Sequence, residues 1–438
     1  MGDYGKGLNG LNDSQFERGQ IGRLRLHVLP TKRFKTYAIA LYAGVPLSED
    51  TVTQTALVPF VLRRGTASTP ETRAFRERLD DMYGAGFGFD VMKRGDAQIV
   101  SFRMDVIHDQ FVSAKQSLLE DALRLLGEVL TAPATENGVF LDKYARAESI
   151  TLRKRLEAIV NDKIRYAAER CLEEMCADEP YRLHALGRIS DLDAITPASL
   201  YEHYSRWLGQ ASFDLYVAGD TSLSQVSELV AASFKLPAGE PASYAASENR
   251  PAAREPKTVV EKMDVGQGKL NMGLRSAVGY ADDAYPAALM YNGILGGYPH
   301  SKLFINVREK ASLAYYAASR YDGHKGILTI QSGIEIQNYE RAVAIIKEQL
   351  ESMQKGEIGE LEMSQTKAMI ANHLREIQDS AAEMIGFDFN AILSGRTREA
   401  LQLLDEVNRV TKDDIKQVAG QVSLDTIYFL RDEKEAQA

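Results

Sequence analysis

The sequence predicts an α+β protein of two homologous domains, each an antiparallel sheet with helices packed on one face, and three observations carry that prediction. The first is an internal repeat. "YAIALYAGV" (Tyr37 to Val45) and "LNMGLRSAV" (Leu270 to Val278) both read as strands, and each is followed by an acidic turn and an apolar helix, "ALVPFVLRRGT" in one half and "AALMYNGILGG" in the other. Near the ends of the halves, "ITPASLYEHYSRWLGQASFDLYVAGD" and "VTKDDIKQVAGQVSLDTIYFL" each give a Thr-capped helix and then a closing strand. The second is a composition break at Lys235 to Lys257, "KLPAGEPASYAASENRPAAREPK", whose four prolines predict a partly extended linker. The third is the order within each half: strand, helix, strand pair, long helices, strand. A repeat of roughly 200 residues is a duplicated domain rather than a solenoid of short units. Residues 1–234 therefore form the first domain, 235–257 the linker and 258–438 the second domain.

The elements follow in order. The opening "MGDYGKGLNGLNDSQFERG" has no apolar core of a signal peptide, and Lys6 breaks the myristoylation pattern. "TQTALVPFVLRRGT" (Thr53 to Thr66) is a short apolar helix closed by a Gly-Thr turn; Pro59 requires it to begin near Thr55 or to kink. "TPETRAFRERLDDMYGAG" predicts a helix with Thr69 as N-cap and Pro70 in the first turn, its face formed by Phe75, Leu79 and Met82, ended by Gly84. "AQIVSFRMDVI" alternates as a strand, and Phe111 to Met175 reads as helix almost throughout. In the second half, "ILGGYPHSKLF" (Ile294 to Phe304) predicts a flexible glycine connector lining a groove. "NVREKASLAYYAASRYDG" (Asn306 to Gly323) runs a charged helix end into a Tyr-rich strand.

Composition narrows the function. Apolar residues at 45% and charged residues at 26% describe a soluble globular chain, and a net charge of -9 with no basic block argues against nucleic-acid binding. No run approaches the ~18 apolar residues of a membrane span, so a cytoplasmic location is expected. Cys171 and Cys176 are the two cysteines in 438 residues, which fits a reducing compartment without disulfides.

No local motif supplies chemistry. Among the seven histidines none is spaced i, i+4 on a predicted helix, and none falls in a Cys/His cluster of zinc spacing. Cys176 and His184 flank a turn and read as a packed thiol and a surface imidazole. Nucleophile elbow, P-loop and dinucleotide fingerprint are missing. "YGAGFG" (Tyr83 to Gly88) follows a helix, whereas phosphate cradles follow a strand.

Taken together these segments resemble the pitrilysin/insulinase family of zinc peptidases, in the small two-domain branch near the mitochondrial processing peptidases. The resemblance spans nearly the whole chain: the strand at Tyr37, the helix ending "RRGT", "DDMYGAGFGFDV", "YVAGD", and above all "ILGGYPHSKLFINVREKASLAYY". Active members carry His-x-x-Glu-His on the helix before the Gly-Thr turn, and those three positions fall here on Ala56, Pro59 and Phe60. The family's third zinc ligand is a Glu seven residues after another Glu; with Glu148 as anchor that position is Arg155, although Glu157 lies close by. Zinc lowers the pKa of bound water from ~16 to about 7, on the order of 11 kcal/mol of help. Ala and Phe have no lone pair, Arg155 would repel a cation, and Pro59 cannot serve as a general base. The resemblance thus implies no intrinsic peptidase site, no metal and no cofactor in this chain.

The second half departs less. The family's Arg and Tyr, which hold the substrate carbonyl or the tetrahedral intermediate, match Arg308 and Tyr315, with Gly296, Gly297 and Ser301 in a loop of the chamber. The implied role is a non-catalytic subunit that closes the chamber on a partner, either a His-x-x-Glu-His-bearing paralogue or a second copy of itself. Such a subunit would supply Arg308 and Tyr315 in trans, with zinc only in the partner and a peptide as substrate. The alternative is a peptide-binding scaffold or accessory protein, since the bacterial branch it resembles is associated with elongation factor P modification. A relocated hydrolase site around His300 is a third reading, although that segment offers His300 no carboxylate or thiol partner.

Overall fold

The computed structural model describes residues 15–113, 117–247 and 255–433; the first residues of the chain and the middle of the predicted linker fall outside them. The first half builds a sheet from β1 (Glu17–Ile21), β2 (Leu24–Pro30), β3 (Thr36–Pro46), β4 (Gly86–Arg94) and β5 (Ala97–Ile107). After a small hairpin of β6 (Thr135–Glu136) and β7 (Val139–Phe140), β8 (Ser212–Gly219) returns to complete it in the order β1-β2-β8-β3-β5-β4. The second half uses β9 (Lys257–Lys262), β10 (Gly268–Ser276), β11 (Ala314–Asp322), β12 (Ile327–Ile334) and β13 (Val422–Arg431), in the order β11-β12-β10-β13-β9. Read from its far end, the second sheet repeats β2-β8-β3-β5-β4 strand for strand. The duplication extends to hydrogen bonding: β2 with β8 and β9 with β13 are parallel and the other pairings antiparallel, so each sheet is mixed rather than wholly antiparallel. The closing strand arrives by a long helical crossover, which permits a parallel neighbour on one side.

The first-half helices are α1 (Val52–Leu62), α2 (Thr72–Asp81), α3 (Leu118–Thr131), α4 (Asp142–Asn161), α5 (Lys163–Met175), α6 (Ile189–Leu192), α7 (Pro197–Gln210) and α8 (Leu223–Ser233). The second half adds α9 (Tyr285–Asn292), α10 (Tyr339–Lys355), α11 (Glu360–Ile377), α12 (Ala381–Ser394), α13 (Ala400–Arg409) and α14 (Lys412–Ala419). The Thr-capped helices of the repeat are α7 and α14, where Thr196 and Thr411 each close a capping box. Among the described residues no helix is long and apolar enough to cross a membrane.

Strand periodicity places the core. Along β3, Tyr37, Ile39, Leu41 and Ala43 face the first half's own helices, while Ala38, Ala40 and Tyr42 face a core shared with the second half. The second sheet divides in the same way, Ile427 and Phe429 of β13 facing its own helices, Tyr428 and Leu430 packing with Ala167 and Cys171 of α5. Each half therefore lends a helix to the other: α5 covers β10 and β13, and α12 covers β3 and β8. On the α12 side Phe389 stacks on Tyr42 at 3.8 Å, and Asp388 accepts from both Arg18 nitrogens at 2.6 and 2.7 Å and from the Tyr216 hydroxyl at 2.8 Å.

Several local expectations change. Helix α2 starts at Thr72 under Glu71, because Thr69 Oγ1 bonds Thr66 Oγ1 at 2.9 Å and the Pro70 carbonyl accepts from Tyr144 at 2.9 Å. Both residues are thereby held in the turn after α1. On its face Phe75 and Met82 are buried, Leu79 only partly. Helix α1 begins at Val52 and carries Pro59 in its interior. The helical run from Phe111 is broken by the β6–β7 hairpin, whose Asn137 and Gly138 both sit at positive φ, as a tight hairpin turn needs. The glycine connector is not a flexible loop: α9 widens into a broad turn through Gly293–Gly297, and a Cβ at Gly296 would lie 2.6 Å from the Ser319 backbone nitrogen on β11. Close backbone approach explains the glycine there.

A buried ionic cluster fastens the α5 side. Lys325, in the β11–β12 turn and 1% exposed, places Nζ 2.8 Å from both Asp96 carboxylate oxygens and 2.9 Å from Glu179, both in the first half. Arg275 of β10 adds a 2.6 Å bond to Glu179 and donates to the Met175 carbonyl at 2.8 Å. Removing Lys325 takes one cation from Asp96 and Glu179 and leaves Glu179 to Arg275, so Lys325→Met should cost about 3 kcal/mol; the denaturant midpoint reads it, and an unchanged midpoint would show that Lys325 contributes nothing. On α7, buried His203 Nε2 meets Thr55 Oγ1 at 2.9 Å. Burial, aided by Arg206, pushes His203 down to about 4. A depressed imidazole leaves stability intact above the unfolded value of 6.5 and loses it as pH falls toward 4, on the order of 3 kcal/mol. His203→Gln should flatten that part of the stability profile relative to the native chain; parallel profiles would refute the assignment.

Candidate functional site

Helix α1 sets the first group of predicted positions. Ala56 and Phe60, one helical turn apart, are fully buried, and Pro59 between them is buried as well. Phe60 meets Phe89 of edge strand β4 edge-on at 4.8 Å. From α4, the Arg155 guanidinium lies 4.8 Å over the Phe60 ring, and Arg63 lies 5.4 Å over Phe89. Arg155 and Phe60, chosen from separate sequence segments, thus come together. Glu148, two turns earlier on α4, is fully buried, and its carboxylate is held by Arg64 and, at 3.4 Å, by Arg63. The "RRGT" end of α1 is therefore fixed to α4 by charge. This donor set does not fit zinc: a methyl, a pyrrolidine, a phenyl ring and a guanidinium provide no lone pair for a divalent cation.

Beside Arg155 and Phe60 lies a cavity of about 510 Å³, walled by β4, α4, α5 and the segment at His184. A second cavity, about 630 Å³, opens between the two halves, with Tyr181 and Lys93 on one side and Tyr280, Tyr321 and His324 on the other. Lys93 and Glu169 line both, so the two spaces adjoin. Lys93 is deeply set: Nζ donates to the Tyr181 carbonyl at 2.8 Å and lies 4.1 Å over the Tyr181 ring. Burial lowers its pKa, partly offset by Glu169.

Arg308 and Tyr315 sit elsewhere. Arg308 is exposed near the end of a wide helical turn (Phe304–Lys310), its guanidinium 4.5 Å over Phe304. Tyr315 is 64% exposed at a bulge where β11 slips against β12, a geometry that re-aims a side chain. Neither lines the two cavities. Ser301 is fully buried and Gly297 exposed, in the helical segment that packs on β11.

Other residues depart from their sequence reading. His184 is not a surface imidazole: it lines the smaller cavity, burial lowers its pKa, and its Nδ1 accepts from the Leu186 backbone at 3.1 Å. Burial pushes the Cys171 thiol up to about 12 and Cys176 up to about 11, so both are inert packing groups. His300 bonds Thr366 at 2.8 Å and stacks on Tyr298. Tyr244, within the predicted linker, is inserted between the sheet and α12, donating to Asp214 and packing edge-on against Phe389 at 5.6 Å. Only its aromatic character, in a Pro/Ala/Ser stretch, could have marked it.

Comparison with known proteins supplies the family. The profile described as "Peptidase M16 inactive domain" matches residues 194–370. The probable inactive metalloprotease YmfF of Bacillus subtilis (strain 168) is 41% identical over 412 residues, covering 94% of this chain and 96% of YmfF. The subtilosin biosynthesis protein AlbE of the same organism is 24% identical, covering 91% of this chain and 98% of AlbE. Among solved structures, a conserved protein from Enterococcus faecalis V583 superposes with a TM-score of 0.91 at 31% identity, covering 97% of this chain and all of that one. The chain belongs to the M16 (pitrilysin/insulinase) peptidase family, as one of its inactive members.

Proposed function

We propose that this chain is the non-catalytic subunit of a two-chain peptidase, closing the chamber of a metal-bearing partner and presenting Arg308 and Tyr315 to it. One observation carries the reading: both side chains are exposed, and among the described residues neither forms a hydrogen bond or ion pair within its own chain. A guanidinium and a phenol held outward are groups suited to a developing oxyanion, and they are useful only beside a metal-activated water. Because Ala56, Pro59, Phe60 and Arg155 offer no such water, the metal belongs to the partner, a His-x-x-Glu-His-bearing paralogue. The work of this chain is soluble and cytoplasmic, on a peptide substrate.

A second reading, a peptide-holding accessory protein that does not cleave, draws on the cavity of about 630 Å³ between the halves and on the kinship with AlbE, a protein named for bacteriocin biosynthesis. Reconstitution separates the two. Mixed with the metal-bearing paralogue, the native chain should raise peptide hydrolysis, while Arg308→Ala should cut the rate of the pair at least about tenfold, roughly the loss of one oxyanion donor. Equal rates for native and substituted pairs would exclude the subunit role and favour the accessory one.

A further inference from the structure

The smaller cavity carries more than the loss of a metal. Its lining includes three cations, Arg155, Arg165 and Lys93, against two carboxylates, Asp90 and Glu169. Among the described residues neither Arg155 nor Arg165 forms an ion pair, and both are exposed. Arg155 is positioned by the ring of Phe60 instead of by an acid, which leaves its nitrogen edge open. Lys93 is satisfied by carbonyls and a ring rather than by a carboxylate within contact distance. His184 adds a donor, since Nδ1 already accepts from Leu186 and the proton of the neutral ring must sit on Nε2. On the acidic side, Asp90 accepts from the Val91 backbone, and Glu169 lies at the junction with the larger cavity. The remaining wall is apolar, with Phe60, Phe89 and Ile159.

We infer that this cavity is a carboxylate-binding pocket, in which Arg155 and Arg165 clamp an acidic group of a peptide while Phe89 and Ile159 hold the adjacent apolar part. A planar guanidinium matches a carboxylate in two parallel bonds, and a guanidinium without an acidic partner of its own has those bonds to give. The carboxylate comes from a peptide C-terminus or from an Asp or Glu side chain, which share this chemistry. For the peptide class of the ligand the inference rests on the proposed function above; it requires no partner subunit.

The test therefore uses the full chain alone. A fluorescein-labelled heptapeptide of Ala and Leu with one internal Glu and a free C-terminus serves as probe, and binding is read by anisotropy. Replacing Glu by Gln and amidating the C-terminus together should weaken binding about tenfold or more, and the two single changes show which carboxylate the pocket takes. Arg155→Gln with Arg165→Gln should weaken the acidic peptide to the level of the neutral one, while Arg155→Lys retains part of the affinity; circular dichroism confirms folding of each variant. The charged peptide should also lose affinity with salt more steeply than the neutral one. Equal affinity for acidic and neutral peptides, no effect of the double Arg substitution, or no saturable binding of the acidic peptide below about 1 mM would overturn the pocket, and each would leave the subunit reading, tested by Arg308, untouched.

Discussion

The rest of this structure depends on an exchange: each sheet has one face covered by its own helices and the other by a helix of the opposite half. Without α12 the Ala38, Ala40 and Tyr42 face of β3 would be wet, and without α5 so would the Tyr428 and Leu430 face of β13. That demand explains why the central strands carry small residues on the shared face. A Cβ at Gly273 would meet the Met175 sulfur at 2.5 Å, and one at Gly44 the Tyr244 ring at 2.3 Å. Close approach of the opposite half and of the linker selects alanine and glycine there, while the other face keeps Ile39, Leu41 and Leu274.

Charges at the exchange fix orientation. On the α12 side Arg18 donates to His27 Nδ1 at 2.6 Å, so that nitrogen is an acceptor and Nε2–H points to Asp214 at 2.7 Å. Burial alone would raise Asp214, but Arg25 and His27 hold it down at about 2, an anion retained inside the protein. With the Lys325 cluster on the α5 side, the two contacts lie on different elements of the pseudo-symmetric pair.

How much of this could be read in the sequence differs by residue. The repeat was legible because a Thr-capped helix before a closing strand leaves the same local marks at Thr196 and Thr411. The meeting of Arg155 with Phe60 was legible, because the resemblance fixes spacing along two helices that pack on each other. The exchange of α5 and α12 was not, since an amphipathic helix shows which of its faces is buried and not which sheet covers it. Thr69 and Pro70 were misread for a related reason. Their signal for a helix start is genuine, yet tertiary bonds from Thr66 and Tyr144 outweigh a cap worth about 1 kcal/mol. The bulge at Tyr315 also escaped, because it depends on the register of β12 rather than on residues near 315.

Helix α1 shows why inactivity here is a property of the fold and not of one missing residue. A proline within a helix costs on the order of 3 kcal/mol by deleting a backbone bond and crowding the preceding turn. It persists at Pro59 because α1 is buried on nearly every side and is held at its ends by Thr53 with Asp191, Thr55 with His203, and Arg64 with Glu148. An imidazole at position 56 would enter space now filled at interior density, and a carboxylate at 59 would need a polar environment that the surrounding core does not offer. The cation over Phe60 would oppose the metal as well. The same packing that closes it to zinc holds Arg155 with its charge uncompensated at the rim of a cavity, where an anionic group is the natural counterpart.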